Sequence, residues 1–475
     1  MTTTRTNPLN LLFGGTSGLV LGKSQTVRGH TTKIRYPESS TYIIGAKGTG
    51  KSTLMLNMFL QEIAKSDKAL VLLDPHGDLA EDVIQRCPAK HANRVTYFAP
   101  TSKEQRSKPF GLNPFEEILG LNGKHQFDAI MKVFSHSWFL DFDKAPVMQN
   151  SLETMSRILL ASYKKHRTSF LDFFLMMRRD EIGQLYRKLY LNDISDNPAV
   201  LYNLKVWENQ STFIKATESS FNKINHLIND EIILHILSQR ESSKCFDFLN
   251  MIRRKGVLVV NLGGMDDESC RLLGSLILTL LTATVKSIDN KNDRLPCHIY
   301  ADEFYKFSPE SFVEIINECR KFGLATTIAH QTLAQLMSSS SSAAFSCGNM
   351  ISLRVASSDE LAILKNFRPI TREIYDKLPR YHAMCKIQLE KSAPETSITK
   401  INKPAGKPSY DVERQIIQNS LRFGTDLNRV KKDIRIRISD DKLKNSDSES
   451  TTSKHNNKPQ KSGSKSGRFK SKPKK

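Results

Sequence analysis

The 475-residue sequence has few cysteines and no apolar run long enough to cross a bilayer. Its seven cysteines are scattered and never spaced Cys-x-x-Cys, which argues against a disulfide framework and against a zinc site. The longest apolar run, residues 272–285, is shorter than the roughly 20 residues of a membrane span, so we expect a buried helix there. The first residues lack the basic head and apolar core of a secretory signal. These features predict a cytoplasmic protein, with recruitment to the inner face of the membrane by a partner left open.

Negative charge is also scarce relative to positive charge. The chain has 70 Lys and Arg against 49 Asp and Glu, a net charge of +21. Nine of the basic residues lie at positions 454–475, where no acidic residue occurs. A surplus of this size fits a polyanionic partner such as DNA, although a charged surface also serves solubility alone.

Residues 45–52 read Gly-Ala-Lys-Gly-Thr-Gly-Lys-Ser and match the spacing GxxxxGK[ST]. A segment rich in Thr, Tyr and Ile precedes them and an apolar helical pattern follows, so the local order is strand, loop, helix. In such a loop, backbone N–H groups and the helix N-terminus bind phosphates, Lys51 reaches the β- and γ-phosphates, and the Ser52 hydroxyl ligates Mg²⁺. We therefore expect ATP and Mg²⁺ here rather than a glycine turn without a ligand. The predicted nucleotide-binding residues are Gly45, Ala46, Lys47, Gly48, Thr49, Gly50, Lys51, Ser52 and Thr53.

Two adjacent carboxylates, Asp302 and Glu303, end an apolar segment far downstream. In a phosphate-loop enzyme the first carboxylate holds Mg²⁺ and the second orients and deprotonates the water that attacks the γ-phosphate. Gln331 ends the next apolar segment, where its amide is expected to sense the γ-phosphate. Each of these residues also has an ordinary structural use at a strand end, but the phosphate loop upstream favours the catalytic interpretation.

Apolar segments alternate with helical patterns on both sides of a long helical region. The expected strands are residues 41–44, 69–73, 94–98, 256–262, 295–304, 324–329 and 350–355, and a Ser-rich loop is expected at 338–342. Continuous apolar strands alternating with helices predict an α/β fold with a mainly parallel sheet covered on both faces. Because ligands bind beyond the carboxyl ends of such strands, Asp74 and Asp78 should lie near the phosphate loop.

The predicted organisation has six parts. They are a small N-terminal β segment at 1–40, the first part of the α/β domain at 41–112, an all-α insertion at 113–250, the second part of the α/β domain at 251–400, a helical extension at 401–441, and a disordered basic tail at 442–475. Within the insertion, Pro146 is expected to start a helix.

Charge that develops on the γ-phosphoryl oxygens calls for a cation, which ring-forming motors commonly take from a neighbouring subunit. Arg320 and Arg354 are the candidates. Arg320 is expected near the end of a helix and Arg354 within an apolar strand, where an unpaired guanidinium is costly. Spacing alone does not choose between them.

The order of motifs over most of residues 40–400 resembles that of the conjugative coupling ATPases of the TraD/TraG type, which belong with the HerA and FtsK motors. The matching motifs are Gly45 to Ser52, Asp74-Pro75-His76-Gly77-Asp78-Leu79, Phe110-Gly111-Leu112-Asn113-Pro114, Asp302-Glu303-Phe304, Arg320-Lys321-Phe322-Gly323-Leu324 and Ala329-His330-Gln331. The resemblance implies a RecA-like P-loop NTPase with an all-α insertion, a hexameric ring, and ATP-driven translocation of DNA. It implies that Arg320 is the arginine finger that acts on the nucleotide of the neighbouring subunit. It also implies that Gln331 senses the γ-phosphate, and that Lys51, Ser52, Asp302 and Glu303 form the hydrolytic set.

Coupling proteins usually begin with membrane-spanning helices, which this sequence does not show. We therefore expect a DNA translocase of conjugative or mobile-element transfer, with a relaxase or a secretion channel as a partner. Three alternatives stay open: a HerA-like helicase or translocase in DNA processing or defence, a secretion ATPase that handles protein substrates, and a nucleotide-gated adaptor that binds without appreciable hydrolysis. Whether the DNA is single- or double-stranded does not follow from the sequence.

Overall fold

A computed structural model describes the chain at residues 18–26, 30–34, 39–116, 123–138, 140–191, 193–194, 197–241, 245–288, 290–307, 309–336, 338–389 and 393–439. The predicted basic tail and the first part of the predicted N-terminal segment lie outside these residues.

Eleven strands of the described residues form one sheet. They are β1 (Leu19–Ser24), β2 (Thr31–Ile34), β3 (Thr41–Ile44), β4 (Ala69–Asp74), β5 (Val95–Phe98), β6 (Val257–Asn261), β7 (Cys297–Ala301), β8 (Leu324–His330), β9 (Asn349–Ser352), β10 (His382–Ile387) and β11 (Glu395–Ile401). Their spatial order is β2-β1-β11-β10-β9-β3-β8-β7-β4-β6-β5. The seven strands from β9 to β5 are parallel, and β10, β11, β1 and β2 continue the sheet in antiparallel pairs. The predicted α/β class with a mainly parallel sheet is confirmed.

Helices cover both faces of the sheet and fill the long region between β5 and β6. They are α1 (Lys51–Lys65), α2 (Asp78–Arg86), α3 (Lys103–Ser107), α4 (Gly123–Trp138), α5 (Pro146–His166), α6 (Phe170–Met177), α7 (Glu181–Leu191), α8 (Pro198–Val206), α9 (Gln210–Asn229), α10 (Glu231–Leu237), α11 (Phe248–Arg253), α12 (Asp267–Lys286), α13 (Pro309–Glu318), α14 (Ser338–Phe345), α15 (Glu360–Leu364), α16 (Arg372–Asp376), α17 (Tyr410–Ser420) and α18 (Leu427–Ile438). Short 3-10 helices lie at Ala89–Arg94, Phe142–Lys144, Lys291–Asp293, Phe304–Lys306, Cys319–Phe322, Leu333–Gln335 and Leu421–Phe423.

The parallel strands are apolar along their whole length because both of their faces are covered. Every residue of β4, β6, β7 and β8 is buried. One face of the sheet shares a core with α4, α5 and the other insertion helices, and the opposite face packs on α1, α2 and α17. The insertion is therefore built on one face of the sheet.

The apolar run predicted as a buried helix is α12. Its length and composition would also suit a membrane span, but 83% of its apolar 18-residue window is buried in the protein. It packs against α4 of the insertion, so it is a core helix between the sheet and the insertion.

The Ser-rich segment was predicted as a loop, and this prediction is wrong. The structure places helix α14 there, with Ser340, Ala343 and Ala344 buried on the side that faces α13. Burial of this small-residue face outweighs the weak helix propensity of serine.

The helical extension after β11 contacts both the sheet domain and the insertion. Helix α17 packs against β5 and α2. In α18, Arg437 is fully buried, where it pairs with Asp172 of α6 and donates a 3.0 Å hydrogen bond to the Ser238 carbonyl. This contact joins α18 to the insertion, and loss of either partner would leave an unpaired buried charge that lowers stability.

Candidate nucleotide-binding site

The predicted phosphate loop connects the carboxyl end of β3 to the start of α1. Gly48 and Gly50 have φ values of 78° and 113°, in the left-handed region that favours glycine. The Ala46 amide donates a 2.7 Å hydrogen bond to the Arg354 carbonyl, and the Thr49 hydroxyl donates a 2.7 Å hydrogen bond back to the Ala46 carbonyl. These hydrogen bonds hold the loop in a turned form, and the first amides of a helix that follows such a loop are suited to bind an anion.

Lys51, the first residue of α1, is buried beside both downstream carboxylates. Its Nζ atom donates a 2.7 Å hydrogen bond to Oδ1 of Asp302 and a second hydrogen bond to Glu303. Burial opposes the charge of Lys51, but the two carboxylates outweigh it and raise the pKa of the lysine above its usual value. The ammonium group therefore stays charged throughout the neutral pH range.

Glu303 is held in a conformation that non-glycine residues rarely adopt. Its φ is 45° and its ψ is 50°, and it is buried. Gln331 Nε2 donates a 3.0 Å hydrogen bond to Oε1 of Glu303, whereas Oε2 is buried with no hydrogen-bond partner among the described residues. Strained residues of this kind cluster at functional sites, and a carboxylate oxygen without a donor is suited to accept a proton from water.

Asp74 and Asp78 line the same cavity as the phosphate loop, as predicted. The two oxygens of Asp74 accept hydrogen bonds from the amides of His76, at 3.0 Å, and Ala80, at 2.9 Å. Burial, together with the nearby charge of Asp302, raises the pKa of Asp74. Asp74 therefore shapes the turn into α2, and Asp78 lies at the cavity wall.

His330 forms a buried contact that the sequence patterns did not reveal. Its Nδ1 donates to the Thr332 carbonyl at 2.9 Å, because a carbonyl only accepts. Its Nε2 therefore accepts the hydroxyl of Tyr42, 2.6 Å away. Burial lowers the pKa of His330 to about 4, which matches this neutral tautomer. The pair links β3, which leads into the phosphate loop, to β8, which leads into Gln331.

The two candidate arginines lie at opposite ends of the parallel strands. Arg320 is exposed and precedes β8, so it lies at the end of that strand opposite His330 and the phosphate loop. Arg354 was expected inside a strand, which is wrong, since β9 ends at Ser352. The Arg354 side chain is exposed and donates to the Asp376 carbonyl at 2.6 Å, beside the loop of its own chain.

Arg380 and Tyr381 also line the cavity, and sequence reasoning missed both. Arg380 Nε donates a 2.7 Å hydrogen bond to the Gly48 carbonyl, and the Tyr381 amide donates a 3.2 Å hydrogen bond to the Thr49 carbonyl. They belong to none of the motifs, and they reach the loop because β10 pairs with β9 beside β3.

These residues fit a nucleoside triphosphate with Mg²⁺. The cavity has a volume of about 640 Å³, and residues from the phosphate loop and from the ends of β4, β7 and β8 line it. The Ser52 hydroxyl and the Asp302 carboxylate are hard oxygen ligands, and Mg²⁺ usually combines one or two such ligands with phosphate oxygens and water. No cluster of three or more His, Cys, Asp and Glu side chains suited to a metal occurs in the described part of the chain.

Comparisons with known proteins agree with this geometry. A family model described as the type IV secretion-system coupling protein DNA-binding domain matches residues 31–355. The fold is similar to that of the plasmid coupling protein TrwB in complex with ADP and Mg²⁺, at 16% identity and a TM-score of 0.58 over 83% of this chain and 98% of that chain. It is also similar to VirB4 of Thermoanaerobacter pseudethanolicus, at 12% identity and a TM-score of 0.51 over 85% and 99% of the two chains. No curated protein matches the chain.

Proposed function

The chain belongs to the family of type IV secretion-system coupling protein DNA-binding domains, and from this we propose that it is an ATP-driven DNA translocase of conjugative or mobile-element transfer. The observation that carries the proposal is the contact of Lys51 with both Asp302 and Glu303 inside the cavity at the carboxyl ends of the strands. The contact brings together a phosphate-binding lysine, a carboxylate suited to Mg²⁺ and a carboxylate suited to activate water, which are the groups that ATP hydrolysis uses.

Each side chain of the site has a separate role. Lys51 and the amides of the loop hold the β- and γ-phosphates, and Ser52 with Asp302 would hold Mg²⁺, which offsets phosphate charge when bound. Glu303 orients the attacking water and takes its proton. Gln331 donates to the other oxygen of Glu303, so it positions the base and senses the γ-phosphate.

The position of Arg320 supports a ring of subunits. Strand β8 separates it from the loop of its own chain, and a strand of seven residues is about 20 Å long. Arg320 therefore cannot reach its own nucleotide, but a head-to-tail neighbour would bring it to the next site. Head-to-tail contacts form a ring when the rotation between subunits closes and a filament when it does not. We infer the ring, with six subunits, because the family resemblance implies it.

DNA is the partner that the family and the charge both favour. The chain carries a net charge of +21, and positive charge binds the phosphate backbone independently of base sequence. A relaxase or a secretion channel would then place this motor in a transfer pathway, at the cytoplasmic face of the membrane.

The test is the rate of ATP hydrolysis by the purified protein with and without single- and double-stranded DNA. We expect DNA to accelerate hydrolysis, Lys51→Ala to abolish it, and the exposed control Lys90→Ala to leave it unchanged. Strong turnover that no DNA changes would instead favour an ATPase that acts on protein substrates. Unchanged turnover in Lys51→Ala would show that hydrolysis does not take place at this site.

A further inference from the structure

Arg380 and Tyr381 hold the phosphate loop from the side opposite the hydrolytic carboxylates. Besides their hydrogen bonds to the carbonyls of Gly48 and Thr49, the ring of Tyr381 lies directly over Gly50. A Cβ atom at Gly50 would come within 2.8 Å of a ring carbon of Tyr381. Tyr381 has a φ of 61°, so its backbone is also in the left-handed region. The ring is therefore held at the loop by a backbone conformation that residues other than glycine rarely adopt.

The strand order fixes which end of a bound nucleotide meets this pair. Glu303 and Gln331 follow β7 and β8, which lie on one side of β3. Tyr381 precedes β10, which lies on the other side of β3 beyond β9. Because the γ-phosphate must face Glu303 for water to attack it, the nucleoside end of a bound nucleotide would extend toward Arg380 and Tyr381.

The pair presents flat, exposed surface at that end of the cavity. The Arg380 guanidinium lies 4.8 Å from the centroid of the Tyr381 ring, and Tyr381 is 42% exposed. Within the described residues no carboxylate forms an ion pair with Arg380, whose contacts are the Gly48 carbonyl and the Tyr381 ring. Planar guanidinium and phenol groups bind nucleobases by stacking and cation–π contact.

We propose that Arg380 and Tyr381 form a stacking platform for the base of the nucleoside triphosphate, and that this platform accepts adenine and guanine alike. Stacking recognises the π face of a base and not the hydrogen-bonding pattern of its edge, so it discriminates weakly among bases. The inference rests on the proposed function, since it assigns the base subsite of that same nucleotide site.

The experiment is equilibrium binding of ATP, GTP and inorganic tripolyphosphate to the full chain and its variants. Arg380→Ala and Tyr381→Gly remove the platform, and glycine is compatible with the left-handed backbone at position 381. We expect each to weaken ATP and GTP binding about tenfold or more, as the loss of base stacking does elsewhere. Tripolyphosphate binding should stay unchanged in Tyr381→Gly, which keeps the backbone hydrogen bond to Thr49, and should fall much less than nucleotide binding in Arg380→Ala, which loses the hydrogen bond to Gly48. Tyr381→Phe should bind like the parent chain, and so should the distant control Arg422→Ala, whose guanidinium also lies over an aromatic ring.

An equal loss of tripolyphosphate affinity would overturn the proposal, because the pair would then act on the phosphates or on the shape of the loop. Unchanged nucleotide affinity in both variants, or a strong preference of the parent chain for one base, would overturn it as well. These results are independent of DNA: an ATPase that ignores DNA contradicts the proposed translocase, whereas the difference between nucleotide and tripolyphosphate binding tests the platform alone.

Discussion

The Nζ atom of Lys51 lies 2.7 Å from Oδ1 of Asp302, although 251 positions separate the two residues in the chain. Lys51 begins the helix after β3, and Asp302 follows β7, with β8 between these two strands. The parallel sheet therefore assembles the hydrolytic group from segments on either side of the insertion. The Asp302 amide also donates a 3.1 Å hydrogen bond to the Leu73 carbonyl of β4, which anchors the carboxylate pair to a third strand.

Replacement of Glu303 by Gln should stop hydrolysis and keep nucleotide binding. The amide preserves the size of the side chain but cannot take a proton from water, so we expect turnover to fall by about 10²- to 10⁴-fold. Single-turnover hydrolysis and nucleotide affinity, measured on the same preparation, separate the two effects. Glu318→Gln, at an exposed carboxylate that ends α13 and lies 3.7 Å from Lys286, is the matched control. Turnover that is equally negligible in the parent chain and in Glu303→Gln would support a nucleotide-gated adaptor and not a motor, and measurable turnover unchanged in Glu303→Gln would show that Glu303 is not the base.

Mixing two inactive variants tests whether Arg320 acts on the neighbouring subunit. Arg320→Ala and Lys51→Ala should each be inactive alone, since one lacks the cation and the other lacks the phosphate ligand. In mixed rings, some sites pair an intact Lys51 with an intact Arg320, so ATPase activity should return. In the control mixture, Lys51→Ala is combined with Arg354→Ala instead of Arg320→Ala. Arg354 lies beside the loop of its own chain, so it is not expected to act on the neighbouring subunit. Recovery with Arg354→Ala and none with Arg320→Ala would reverse the assignment.

The buried His330 should make stability depend on acidity. Its pKa in the folded chain is about 4, below the value of about 6.5 expected in the unfolded chain. The contribution of His330 to the free energy of unfolding is fully present above pH 6.5 and declines as the pH falls toward 4, because protons then bind the unfolded chain preferentially. The decline lowers the free energy of unfolding by up to about 3 kcal/mol. Denaturant unfolding of His330→Gln should show a smaller decline over this range than the parent chain or the exposed control His226→Gln. Identical profiles for His330→Gln and the parent chain would contradict this role.

The basic segment at 454–475 should contribute phosphate contacts to DNA binding. Its nine positive charges are unopposed by acidic residues, so deletion should weaken binding and reduce the slope of log affinity against log salt, by at most about 8 for duplex DNA. Basal ATPase activity should remain, because no predicted site residue lies in this segment. Titrations at several salt concentrations provide the measurement. An unchanged slope would leave the segment with a solubilising role.

The elements that the sequence predicted well are those with a local signature. The phosphate loop was recognisable from its spacing, the start of α5 from Pro146, and the parallel strands from continuous apolar runs such as Ala69–Asp74. Asp302 and Glu303 were predicted because two carboxylates end such a run. Their contact with Lys51 follows from the rule that parallel strands bring their carboxyl ends to one edge of the sheet.

The elements that were missed depend on tertiary contacts. Strand β10, which reads His-Ala-Met-Cys-Lys-Ile, has no simple apolar pattern, so its pairing with β9 and the approach of Arg380 and Tyr381 to the loop had no signal. The Ser-rich helix α14 forms because its small residues are buried against α13. The hydrogen bond between Tyr42 and His330 joins neighbouring parallel strands whose register the sequence does not specify.

ATP-driven translocation is tested most directly by following single molecules of this protein along DNA, with ATP and with a non-hydrolysable analogue. We expect directed movement with ATP, none with the analogue, and none in Glu303→Gln despite bound nucleotide and DNA. ATP hydrolysis that proceeds on DNA without any displacement along it, or movement that persists in Glu303→Gln, would contradict ATP-driven translocation.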